Sequence, residues 1–137
     1  MSVEFPYQVI IPDTSPSPVI ELLLTNLEKK SEQKITAAVD TGYDGVLVIP
    51  TATFTDLRLN IAMVPKNLSA YGLTATGERV EFQSAYALLS IPGLVKHLEV
   101  EVDSYLENSL PLVGRQLLSA FITTLNGPEE IMELLNK

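Results

Sequence analysis

The chain has 137 residues, 46 % of them apolar, and carries 9 Lys and Arg against 17 Asp and Glu, for a net charge of −8. This suits one compact domain, residues 1–137, which buries roughly two-thirds of its extended-chain surface and needs no metal or disulfide to hold a core. The lack of cysteine excludes thiolate nucleophiles, Cys-ligated zinc and Fe–S clusters, the single His97 argues against a triad or multi-histidine metal site, and the acidic balance argues against a nucleic-acid partner.

Met1 to Pro6 shows no positive region followed by an apolar run, so no secretory signal is expected. No apolar stretch approaches the roughly 20 residues that cross a bilayer, so a soluble, cytoplasmic protein without a membrane partner is expected. Tyr7 to Ile11 reads as a short strand, and Pro12 to Pro18, rich in turn formers, as a loop. Val19 to Thr25 and Lys34 to Val39 make a two-stranded hairpin across a polar connection. A small helical segment is expected at Thr53 to Leu57, with Thr51 or Thr53 as its cap. Leu68 to Leu89 reads as strand, turn, strand, with Val80, Phe82, Ser84, Tyr86 and Leu88 on one face at a period of two. Leu98 to Asp103 alternates three apolar residues with Glu99, Glu101 and Asp103, which marks a half-exposed strand whose acids form a solvated stripe. Arg115 to Leu118 suits one helical turn and Phe121 to Leu125 a strand. Pro128, Glu129 and Glu130 suit the start of a final helix, 128–136, with Ile131, Leu134 and Leu135 on its apolar face. Six to eight short strands with little helix imply a closed all-β barrel.

The chemistry gathers at Val39-Asp40-Thr41-Gly42-Tyr43-Asp44-Gly45, between two apolar strands. Glycine lets the backbone approach closely and leaves amides free to point at a carboxylate, and such donors favour the charged form. One carboxylate held this way has limited use as a hydrolytic base. Two held face to face would share a proton and titrate as a coupled pair, one member activating water while the other protonates the amide. The chain has one Asp-Thr-Gly, so a pair needs two chains, which a two-fold homodimer supplies. The plain alternative is a β-turn without catalytic meaning.

Ala37-Ala38-Val39-Asp40-Thr41-Gly42, followed much later by Leu112-Val113-Gly114-Arg115-Gln116-Leu117-Leu118, resembles the retroviral-type (retropepsin-like) aspartic peptidases and their single-domain bacterial relatives. The resemblance runs over residues 18–125 and implies a closed antiparallel β-barrel with one or two short helices. It implies that Asp40 is the catalytic aspartate, one from each subunit of a homodimer. Thr41 would tie the two loops across the dimer axis, and the Gly42 backbone would face a peptide or protein substrate. Asp44 and Arg115 fall on an acid–arginine pair, for which bidentate geometry is demanding. The segment Tyr71 to Ala87 matches the flap, with Thr76 and Gly77 at its tip. Tyr43 departs from the family, which has a small residue there: a ring narrows or fills the cleft, or donates to a substrate carbonyl. The resemblance implies an aspartic endopeptidase with substrate contacts at Tyr43, Asp44, Thr76 and Gly77, and with neither cofactor nor metal. An inactive dimeric peptide-binding or scaffold protein on the same fold is the alternative, and a monomeric all-β binding domain is the third.

Overall fold

The computed structural model describes residues 1–64, 71–73, 79–106 and 108–137. In chain order the strands are β1 (Ser2–Pro6), β2 (Val19–Asn26), β3 (Glu32–Val39), β4 (Leu47–Ile49), β5 (Tyr71–Leu73), β6 (Arg79–Glu81), β7 (Gln83–Ile91), β8 (Val95–Ser104), β9 (Leu112–Val113), β10 (Phe121–Asn126) and β11 (Ile131–Asn136). Helix α1 (Thr51–Asp56) and a 3-10 turn (Leu59–Ile61) follow β4, and helix α2 (Arg115–Leu118) follows β9. Six strands close a barrel in the order β2-β3-β9-β4-β8-β7. The expected antiparallel pairing holds for most neighbours, but β3 runs parallel to β9 and β4 parallel to β8.

A period of two explains the interior. Ile20, Leu22 and Leu24 of β2, Ala85, Ala87, Leu89 and Ile91 of β7, and Val102 of β8 point inward and are almost wholly buried. Each large side chain of this kind contributes roughly 1.5–3 kcal/mol through burial. Of the set expected on one face, Phe82 and Ser84 are buried but Tyr86 is 48 % exposed. Phe82 is a break between β6 and β7, and beyond it Ala85, Ala87, Leu89 and Ile91 take the inward positions, which leaves Tyr86 facing out.

Three further expectations are corrected. The first strand is Ser2–Pro6, and Tyr7 to Ile11 contributes only an isolated bridge from Gln8 to Ser17. Helix α1 starts at Thr51 behind Pro50 with no side-chain cap, so neither Thr51 nor Thr53 caps it. Residues 128–136 do not form a helix: a turn leads into β11, the central strand of a β1-β11-β10 sheet. The Asn126 side-chain oxygen accepts the Glu129 amide at 3.1 Å, and Glu130 takes a left-handed φ of 52°, which reverses the chain. So short a helix gains little by itself, whereas a central strand finds ladder partners on both sides. Met132 and Leu134 then point inward and are fully buried in the same core as Phe5, Phe121 and Leu117. No helix among the described residues is long and apolar enough to cross a membrane.

Candidate active site

Strand β9 lies between β3 and β4, so the chain joining those two strands must pass across the end of β9. That connection is residues 40–46. Four backbone hydrogen bonds tie it to β9 and α2: Asp40 N–H to the Val113 carbonyl at 2.9 Å, Gly114 N–H to Val46 at 3.0 Å, Arg115 N–H to Tyr43 at 2.9 Å and Gln116 N–H to Gly45 at 3.1 Å. The two sequence motifs thus meet because the strand order requires it.

Gly114 has an extended backbone, φ −102° and ψ −178°, which any residue adopts. Its need is for space. A Cβ there would stand 2.7 Å from the Tyr43 carbonyl oxygen and closer still to the Gly45 carbonyl oxygen. At Gly45 a Cβ would run into the Tyr43 ring, 2.9 Å from Cε1 and closer to the hydroxyl. These two glycines let the loop lie flat on the β9–α2 junction and let the Tyr43 ring fold back over it.

Asp40 is half-buried at the end of β3, and Thr41 and Gly42 are exposed beyond it. The Gly42 amide donates to Asp40 Oδ1 at 2.9 Å, closing a small turn that fixes the carboxylate's direction. Arg115 Nη2 stands 3.3 Å from Asp44 Oδ1, with both side chains largely in solvent, so this contact contributes at most about 1 kcal/mol. Thr76 and Gly77 lie outside the described residues. The arms that flank them, β5 and β6, pair antiparallel from Tyr71 opposite Glu81 to Leu73 opposite Arg79. The remainder of the segment expected as a flap, from Gln83 onward, belongs to barrel strand β7.

Tyr43 does not stand free for a substrate carbonyl. Its hydroxyl donates to Asp103 Oδ2 at 2.5 Å, and its ring meets Phe82 edge-on at 6.2 Å. Asp103 Oδ1 accepts from the Ser84 hydroxyl at 2.7 Å, across the β7–β8 ladder where the two residues are partners. Asp103 is only 6 % exposed, which corrects its place in a solvated stripe. Burial pushes its carboxyl above the ordinary range, against the opposing pull of the Tyr43 and Ser84 hydrogen bonds. Burial, then the charge of Asp103, pushes the Tyr43 phenol far above its ordinary value, so the hydroxyl stays a donor. Glu101 is also raised, by burial first and then by Asp103. The network has no sequence signature, because alternation assigns Asp103 to the outer face and does not reveal that a loop covers that face.

Phe82 is shared with a hollow of about 220 Å³ whose lining includes Thr51, Met63, Glu81 and Tyr105. A larger groove of about 680 Å³ lies elsewhere, between β1 and the β2–β3 hairpin, with Phe5, Glu21, Leu23 and Lys34 in its walls. Among the described residues no cluster of His, Asp or Glu is arranged to hold a metal ion.

No protein-family model matches the chain. It is 35 % identical over 83 residues to an uncharacterized protein of Archaeoglobus fulgidus, a match that takes in 57 % of this chain and 62 % of that protein, short of two-thirds of the relative's length. Among solved structures it is similar to a retropepsin-like aspartic protease from Rickettsia conorii, with a TM-score of 0.58 and 15 % identity over 98 % of this chain and 91 % of that one. It is also similar to EIAV protease complexed with the inhibitor HBY-793, with a TM-score of 0.54 and 19 % identity over 80 % of this chain and 92 % of that one. The mostly-β chain, with its closed barrel and two short helices, thus has the retropepsin-like fold.

Proposed function

We propose that the protein is an aspartic endopeptidase that acts as a homodimer, with one Asp40 from each subunit. The observation that carries this reading is the Asp40-Thr41-Gly42 loop, braced across β9 and Gly114 in a fold shared with two proteases. The Asp40 carboxyl is directed by the Gly42 amide, next to the exposed tip of the loop. In the proposed reaction a charged Asp40 takes a proton from water, and the water oxygen bonds to the scissile carbonyl carbon. The protonated carboxyl of the partner subunit's Asp40 gives its proton to the carbonyl oxygen. The tetrahedral diol then collapses: one diol hydroxyl gives its proton to the charged carboxylate, the C–N bond breaks, the leaving nitrogen takes the proton of the other carboxyl, and no covalent intermediate forms. Gly42, Asp44 and the hairpin carried by β5 and β6 would contact an extended peptide. Strand-like hydrogen bonds and the exclusion of water would be the hairpin's contribution.

The test is cleavage of a diverse peptide library from about pH 4 to about pH 7.5, beside an Asp40→Asn variant verified for folding and dimerisation. The expected result is cleavage by the native protein and a loss of at least about a thousandfold in the variant. Equal cleavage by both would assign the activity to a contaminant. No cleavage by a verified dimer would leave a peptide-binding or scaffold role on the same fold.

A further inference from the structure

We propose that Asp103 and Tyr43 form a latch that positions the Asp40 loop, with Asp103 on β8 as the anchor and Tyr43 as the link. The proposal deepens the peptidase reading and rests on it for the kinetic part of its test. Tyr43 is the one residue of loop 40–46 whose backbone and side chain both hydrogen-bond to other elements. Its amide donates to the Asp40 carbonyl at 3.2 Å, its carbonyl accepts from Arg115 at 2.9 Å, and its hydroxyl reaches Asp103 at 2.5 Å. The anchor is itself fixed, since Ser84 holds the other Asp103 oxygen at 2.7 Å and is fully buried. Both glycines whose Cβ atoms would collide with the Tyr43 ring, Gly45 and Gly114, belong to the segments being held. The ring also leans on Phe82, the residue that follows β6, so the base of the hairpin and the aspartate loop share one support. A carboxyl that must approach its two-fold mate gains from such a support, because small misplacements of reacting groups are costly.

The test compares Tyr43→Phe and Asp103→Ala, which remove the hydrogen bond, with Asp103→Asn, whose amide oxygen can still accept it. Leu89→Ala, deep in the barrel, serves as a control for general loss of stability. Hydrogen exchange of the Tyr43 and Arg115 amides gives a readout that needs no activity. In Tyr43→Phe and Asp103→Ala these amides should exchange about tenfold faster, whereas Asp103→Asn should stay near the native rate. With an active enzyme, kcat should fall about tenfold in the first two variants with KM little changed, and Asp103→Asn should restore most of it. Leu89→Ala should lower the melting temperature without lowering kcat below the melt. Unchanged exchange at Tyr43 and Arg115 would overturn the latch whether or not the protein cleaves peptides. Faster exchange with unaltered kcat in an active enzyme would overturn its positioning role. Faster exchange in a native protein that cleaves nothing would keep the latch while the peptidase reading fails.

Discussion

The Asp103 carboxyl lies between the Tyr43 and Ser84 hydroxyls, and its burial makes the charged form costly. Its pKa is raised in the folded chain, so from its ordinary value of 3.8 up to the folded value the native state binds more protons than the unfolded chain. Stability contributed by this group therefore falls as pH rises through that window. Glu101 acts in the same direction, and part of its own rise comes from Asp103. The expected outcome is that urea unfolding, compared at one protein concentration over about pH 4 to about pH 7, favours Asp103→Asn progressively over the native chain as pH rises. A difference that stays flat with pH would show that Asp103 titrates as it does in the unfolded state. Such a group was not legible in the sequence. Asp40 announced itself through the glycine that follows it, while Asp103 has neighbours that alternate like any exposed strand, and its burial depends on a loop some sixty positions away.

At the scale of elements, the strands with steady alternation were legible, as was the β2–β3 hairpin, because a period of two leaves little choice of face. The C-terminal segment was ambiguous in physical terms. Ile131, Leu134 and Leu135 fit one side of a helix, but Met132 and Leu134 equally fit one side of a strand. What decides is absent from the segment itself: β1 and β10 offer ladders on both sides, with Phe5 opposite Met132 and Thr123 opposite Leu134. The two arrangements make opposite demands on Met132 and Leu135. Met132 is fully buried and Leu135 only partly so. Met132→Ala should therefore cost about 2–5 kcal/mol of stability and Leu135→Ala about 1 kcal/mol or less, measured by urea unfolding. The reverse order would restore the helix. The second motif was legible for a different reason: Gly114 must be glycine to admit the Tyr43 and Gly45 carbonyls, so it survives as a visible mark of the crossing.

At the scale of the molecule, the proposed dimer must join two chains that each carry a net charge of −8. Long-range repulsion between them opposes association, and it is screened once the Debye length falls to about 10 Å or less, near 0.1 M salt. The dimer dissociation constant should therefore fall several-fold as salt rises from about 0.05 M to about 0.5 M, read by sedimentation velocity at fixed pH. Acid should tighten the dimer too, because the net charge shrinks toward the isoelectric point near 4.5. That creates a confusion in any pH–activity profile, since acid also changes the protonation of the shared aspartates. Salt separates the two effects, as it screens the chains without protonating Asp40. If cleavage at dilute protein and neutral pH rises with salt in step with the dimer fraction, its pH dependence contains an assembly component. A dissociation constant that instead rises with salt would mean that ion pairs across the interface outweigh the net repulsion, and the acid limb of activity would then belong to the catalytic groups themselves.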